Sequence, residues 1–226
     1  QISAECYGKE VSIKRLAEIF LELQNQGANN INLVTGGHFV PQIIQALDMV
    51  RRDLKIPVVY NSSGYEKAKT LKMLDGLVDI YLPDFKYMDA VLAKKYSHAQ
   101  DYPEIAKEAL SEMVRQVGEA EFDSRGMMKK GVIVRQLLLP GHVKDAKNVL
   151  KYLYETYGDR IYISMMNQYT PMPAMKDDPQ LSRKVTDREY ERLIDYAISL
   201  GLKNGFMQEG ETAKESFIPE FDGEGV

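Results

Sequence analysis

The residues of this chain best equipped for chemistry stand in small groups at the ends of short apolar runs. NLVTGGHF (32–39) closes on Thr35, Gly36 and Gly37, followed by His38. Glycine packs nothing in a strand, so the pair either offers backbone groups to a phosphate, carboxylate or amino-acid moiety or makes a tight strand-to-helix turn. In VVYNSSG, Asn61, Ser62 and Ser63 supply neutral donors and acceptors suited to a hydroxyl or carboxylate, and Asn61 or Ser63 equally suits the cap of a helix starting near Tyr65. In VDIYLPDFK, Asp84 and Lys86 are two positions apart on a strand and face the same way, as a mutual ion pair or as ligand contacts. Arg135 interrupts the apolar GVIVRQLLLPG, where a guanidinium needs a carboxylate from the protein or from a ligand. His142 follows Pro140-Gly141 in what reads as a surface loop, and Asn167, Gln168 and Tyr169 close the next run, where they line a mouth or simply pack.

None of these groups is a pair of close carboxylates, a metal-binding histidine pair, or a nucleophile with a base at recognisable spacing. The chemistry is therefore expected from a bound cofactor, which the side chains position.

Composition bounds the alternatives. The 226 residues are 44% hydrophobic and 27% charged, as in an ordinary globular protein, and we read 1–226 as one α/β domain. With 29 Lys+Arg against 33 Asp+Glu, the net charge is -4, and no basic run exceeds a pair such as Lys129-Lys130, which argues against nucleic acid as a partner. No apolar stretch approaches the ~20 residues of a membrane span and no secretory segment opens the chain, so a cytoplasmic location is expected. The single cysteine, Cys6, excludes an internal disulfide and cannot alone hold zinc or an iron–sulfur cluster; we assign no metal-binding residue.

The elements that must position these groups follow from periodicity. Six strand-like runs, at 31–37, 56–64, 78–86, 131–141, 160–169 and 205–209, alternate with amphipathic helical patterns such as Ile13, Leu16, Ile19, Phe20 and Leu23. Strands joined through helices are parallel with right-handed crossovers. Every run ends in polar or glycine-rich residues, as in a barrel whose strand ends share one mouth, whereas an open doubly wound sheet would equip only its switch point. The expected fold is a partial (β/α)6 TIM-like barrel. The chain enters a helix by Ser12 without a strand before it, so a first strand is expected to be missing. Residues 87–130 read as a short helix, a long helix and a hairpin or loop insertion turning at Ser124-Arg125-Gly126, and ESFIPEFDGEGV reads as an extended tail packed by Phe217, Ile218 and Phe221.

The order YGKEVS, GANNINLVTGGHFVPQI, VVYNSSGYE, LVDIYLPDFKYMD, VIVRQLLLPGH, ISMMNQYTP and QEG closely resembles the radical S-adenosylmethionine enzymes of the pyruvate formate-lyase activating type, over essentially the whole chain. The resemblance implies a partial (β/α)6 barrel and a CxxxCxxC loop holding a [4Fe-4S] cluster that binds S-adenosylmethionine. It implies that Gly36 and Gly37 hold the methionine amino group, at a Gly-Gly-Glu position where His38 replaces the acid. It further implies that Asn61, Ser62 and Ser63 reach the cofactor, that Asp84 and Lys86 match an Asp-x-Lys whose lysine meets the methionine carboxylate, and that Tyr169 falls near a cofactor-contacting histidine. Thr35 and Arg135 complete the expected cofactor-binding set. The three-cysteine loop does not occur in this sequence, so the ligands are expected upstream and this chain alone is expected to be inactive. Implied partners are a glycyl radical protein as substrate and a flavodoxin- or ferredoxin-type reductant. The alternative is a β/α-barrel binding module without redox chemistry, taking a phosphate or carboxylate ligand.

Overall fold

A computed structural model describes residues 9–207. Ser12 caps the first helix, α1 (Ile13–Asn25), its Oγ accepting the Arg15 N–H at 3.1 Å. There follow β1 (Ile31–Val34), α2 (Val40–Val50), β2 (Val58–Ser62), α3 (Ala68–Leu71), β3 (Ile80–Pro83), α4 (Ala90–Ser97) and α5 (Tyr102–Val117). The second half holds β4 (Glu121–Phe122), β5 (Met128–Leu137), α6 (Val143–Tyr157), β6 (Tyr162–Met166), α7 (Asp187–Leu200) and β7 (Gly205–Met207). Thr186 and Glu189 form a reciprocal capping box at the start of α7, and Gly201 ends that helix in the left-handed region.

Six strands pair in the order β1-β2-β3-β5-β6-β7, every pair parallel, while β4 runs antiparallel to β5 as the hairpin expected there. The order never reverses, so right-handed crossovers place the connecting helices on one face of the sheet, as in a barrel and unlike a doubly wound sheet. The sheet does not close: among the described residues, β1 pairs only with β2 and β7 only with β6. The result is an open β/α barrel of parallel strands.

Burial alternates along β1, β5 and β6 as this arrangement requires. In β5 and β6, residues 132, 134, 136, 163 and 165 are buried while 133, 135, 137, 162, 164 and 166 are half-buried. The first set packs beneath the helices, where Val132, Val134, Ile163 and Met165 meet a core that includes Leu110, Met113, Leu150, Leu153 and Leu193. The second set faces the open concave side. There Phe122 of the hairpin meets Tyr162 edge-on with ring centroids 5.5 Å apart, and Tyr162 stacks on Phe206 at 5.5 Å. This aromatic ladder begins at the first residue of β6, away from the strand C-termini.

The strands are shorter than the apolar runs suggest: TGG follows β1, and DFK follows β3, where Asp84 keeps an isolated bridge to β5. Between β2 and β3 the chain forms only the short α3 and a 3-10 turn, Lys72–Leu74, which bury Leu71 and Leu74. Cys6, the QEG segment, the tail with Phe217, Ile218 and Phe221, and any strand ahead of α1 lie outside the described residues.

Candidate functional site

Parallel strands in chain order bring the TGG, NSS, DFK and Arg135 segments to one end of the sheet. Asp84, the residue after β3, pairs in register with Arg135 of β5. Arg135 Nη2 donates to Asp84 Oδ1 at 2.7 Å and to Asn61 Oδ1 at 2.8 Å. The other carboxylate oxygen, Asp84 Oδ2, lies 3.1 Å from Lys86 Nζ. One anion is thus held between two cations, leaving the cluster with an excess positive charge. The mutual ion pair weighed for Asp84 and Lys86 is present, with Arg135 as a third member. Neither cation is saturated: Arg135 Nε is buried without a partner, and the Lys86 side chain is 39% exposed against 19% for Asp84.

These three residues form one wall of a cavity of about 270 Å³, whose other wall is Tyr87, Leu137, Leu139 and Met166. Leu137 and Met166 are partners in the β5–β6 register, on the concave side with Arg135. A carboxylate entering this space would find the half-exposed ammonium of Lys86, beside the Arg135 guanidinium, with an apolar surface for the rest of the ligand. Such a donor set fits the carboxylate of S-adenosylmethionine.

The TGG turn answers to space more than to backbone freedom. Thr35 takes the left-handed conformation, φ 55°, and Gly36–Phe39 is a 3-10 turn. A Cβ on Gly36 would stand 2.8 Å from Ile43 Cδ1, and one on Gly37 would stand 2.9 Å from Glu66 Oε1. The first approach is helix packing, the tight-turn reading. The second brings a carboxylate from the β2–α3 loop over Gly37. Burial pushes the Glu66 carboxyl above its ordinary value, opposed by the Tyr60 hydroxyl at 3.4 Å and by the charge of His38. Glu66 thus places a carboxylate directly beside the TGG turn.

Ser62 Oγ accepts the Gly64 N–H at 3.2 Å and Ser63 Oγ the Tyr65 N–H at 3.4 Å. Neither serine nor Asn61 caps a helix, because α3 begins only at Ala68, with Lys67 before it. Tyr169 is buried and its hydroxyl donates to the Leu181 carbonyl at 2.9 Å, within the loop that follows β6. Asn167 and Gln168 directly follow β6. His142 is half-buried rather than on the loop surface, since its Nε2 meets the Tyr96 hydroxyl at 2.9 Å.

Sequence reasoning missed Glu66, Tyr102 and the cavity wall of Tyr87, Leu139 and Met166. Their neighbours in the chain carry no signal for it: Tyr102 before Pro103 reads as an ordinary helix start, and Glu66 as one charge in a polar loop. Among the described residues no group of three or more His, Cys, Asp or Glu side chains is placed to hold a metal ion. The Lys86–Asp84–Arg135 cluster fits a carboxylate ligand and, with a single carboxylate and no thiolate, does not fit an iron–sulfur cluster.

No family model matches the sequence. The chain is 26% identical over 185 residues to the uncharacterized protein MJ0674 of Methanocaldococcus jannaschii, a match covering 81% of this chain and 50% of that protein. It thus spans about half the length of the curated relative it matches. Among solved structures, a domain of pyruvate-formate lyase-activating enzyme from Bacteroides vulgatus is similar over 80% of this chain and 100% of its own, with TM-score 0.55 and 13% identity. Streptococcus suis SuiB, solved bound to S-adenosylmethionine, is similar over 93% of this chain and 44% of its own, with TM-score 0.58 and 14% identity. Methylornithine synthase (PylB) is similar over 92% of this chain and 65% of its own, with TM-score 0.52 and 10% identity. At these identities what is shared is the fold: this chain has the open parallel β/α barrel of those enzymes.

Proposed function

We propose that this chain is the cofactor-binding barrel of a radical S-adenosylmethionine enzyme, of the pyruvate formate-lyase activating kind. The observation that carries the reading is the Lys86–Asp84–Arg135–Asn61 cluster, whose first three members line a cavity at the strand C-termini with an unsaturated cation on each side of one carboxylate. The similarity in fold to an enzyme solved with S-adenosylmethionine supports it.

In this reading Lys86 takes the methionine carboxylate, and Asp84, itself held by Arg135, keeps the ammonium in place. The backbone of Gly36 and Gly37, with Thr35, receives the amino group, and Asn61, Ser62, Ser63 and Tyr169 complete the surroundings. Bound S-adenosylmethionine, reductively cleaved at a [4Fe-4S] cluster, supplies a 5'-deoxyadenosyl radical for hydrogen abstraction. In this reading the described residues of the barrel bind and orient the cofactor. The partners that follow are a glycyl radical protein as substrate and a flavodoxin- or ferredoxin-type reductant.

Calorimetry on the full-length protein tests the reading. Losing a charge-assisted hydrogen bond from a partly dry site costs about 1.5–3 kcal/mol, so Lys86→Met is expected to weaken S-adenosylmethionine binding about ten- to a hundredfold. Unchanged affinity would remove Lys86 from the cofactor and leave it as the partner of Asp84. A carboxylate-binding module without redox chemistry is the competing reading, favoured by a cation pair that serves any carboxylate. It predicts no reductive release of 5'-deoxyadenosine from the anaerobically reconstituted full-length protein.

A further inference from the structure

Tyr102 opens α5, distant in sequence from the strand ends, yet it is 2% exposed and its hydroxyl lies where the NSS and DFK loops meet. The oxygen accepts the Lys86 N–H at 3.0 Å. The hydroxyl proton is shared between the carbonyls of Ser63, at 2.9 Å, and Asp84, at 3.1 Å. All of these contacts fall on the backbone of the two loops that carry the candidate site. The ring is itself fixed, stacked on Tyr65 with centroids 5.9 Å apart and edge-on to Phe85 and Tyr87 at 6.3 and 5.5 Å. Gly64 closes the same seam from the other loop, since a Cβ there would stand 2.1 Å from the Asp84 carbonyl oxygen. Burial raises the phenol far above its ordinary value, which favours the protonated hydroxyl.

We infer that Tyr102 is a positioning residue for Lys86: its hydroxyl pins the Lys86 backbone to the β2 loop and so presents the ammonium to a carboxylate in the cavity. The inference rests on the cofactor-binding reading above. Lysine is long and rotamer-rich, and the Lys86 side chain is half-exposed, so its aim depends on where its backbone is held. A backbone fixed in advance leaves less freedom to lose when the ligand binds. A tyrosine that merely filled the core would need no such convergence of its hydroxyl on Lys86, Ser63 and Asp84.

The test is a double-mutant cycle read by calorimetry, with S-adenosylhomocysteine as the probe because it keeps the amino-acid carboxylate and is chemically stable. In the full-length protein, Tyr102→Phe removes only the hydroxyl and is expected to weaken binding roughly five- to tenfold. In the Lys86→Met background the same change is expected to alter affinity less than about twofold, because the group that Tyr102 positions is gone. A role confined to fold stability would instead lower the melting temperature equally in both backgrounds and leave the affinity of the folded protein unchanged. Wild-type affinity in Tyr102→Phe, or losses that add in the double variant, would overturn the inference. Should Tyr102→Phe fail to fold, amide exchange of the wild-type protein decides: the Lys86 N–H is expected to be protected, and an unprotected rate would overturn the pin. A wild-type protein that binds no S-adenosylhomocysteine overturns the cofactor reading together with this one, whereas normal binding by wild type and Tyr102→Phe alike overturns only the role of Tyr102.

Discussion

Asp84 carries more of the site than its place between strand and loop suggests. It neutralises one of two cations set side by side, and each of its oxygens is committed, one to Arg135 and one to Lys86. Replacing it would leave a mostly buried guanidinium facing an ammonium with no anion between them, and breaking such a pair from one side is costly because the remaining charge keeps its desolvation penalty. Asp84→Asn is therefore expected to lower stability by about 2–3 kcal/mol, measured as a reduced urea midpoint with unchanged slope. A variant as stable as wild type would mean that solvent already screens the cluster. Arg135 was legible in the sequence as a residue in need of a carboxylate. Which carboxylate was not legible, because pairing across β3 and β5 depends on how the two intervening helices and the hairpin return the chain to the sheet.

At the scale of elements, two seams hold the loops that bear the site. In the first, between the β2 and β3 loops, Gly64 has φ +75° and stands against the Asp84 carbonyl, so alanine there meets both backbone strain and a backbone clash. Gly27, after α1, has φ +88° but nothing within 4 Å of an added Cβ. Gly27→Ala is expected to cost about 1–2 kcal/mol, the strain alone, and Gly64→Ala about 3 kcal/mol or more, compared by urea unfolding. Equal costs would mean that the β3 loop yields freely. The second seam joins α6 to the β3–α4 loop: Asp145 is 7% exposed and each of its carboxylate oxygens lies 3.2 Å from the Met88 N–H. Burial raises its pKa to about 6, against the lowering effect of the Met88 and Asp89 amides and with a small further rise from the Asp89 charge. The native state thus keeps a proton on Asp145 that the unfolded chain releases near pH ~4, so the native state binds more protons between those values. Stability contributed here is fully present below about pH 4 and declines by about 2 kcal/mol as pH rises to about 6. Asp145→Asn is expected to flatten that decline in urea titrations across this range, and an unchanged slope would assign it to other groups.

For the whole molecule, the open sheet has a direct consequence. β1 has a partner on one side only among the described residues, and Val34 at its end is 61% exposed. The chain 1–226 has one cysteine, and a [4Fe-4S] cluster needs several thiolates. Anaerobic reconstitution of this chain with iron and sulfide is expected to leave no stoichiometric cluster, as measured by iron and acid-labile sulfide per protein. Stoichiometric uptake, with release of 5'-deoxyadenosine, would place the cluster within these residues and overturn the division of labour proposed above.

The alternation of apolar runs with amphipathic helices, the parallel direction of the strands and the gathering of polar residues at their C-terminal ends were determined by the sequence itself. Each depends on periodicity within a dozen residues and on the handedness of crossovers, which are local properties. The limits of the strands were not so determined, because they depend on neighbours: Thr35 turns into the left-handed region after β1, whereas Asp84, past the end of β3, still bridges to Arg135. Only the tertiary structure decided that Asp84 meets Arg135, that Glu66 lies over Gly37, and that the Tyr102 hydroxyl joins the NSS and DFK loops. These contacts link positions far apart in the chain, and their geometry is set by register between strands and by the packing of helices over them. No local pattern in the chain encodes that geometry.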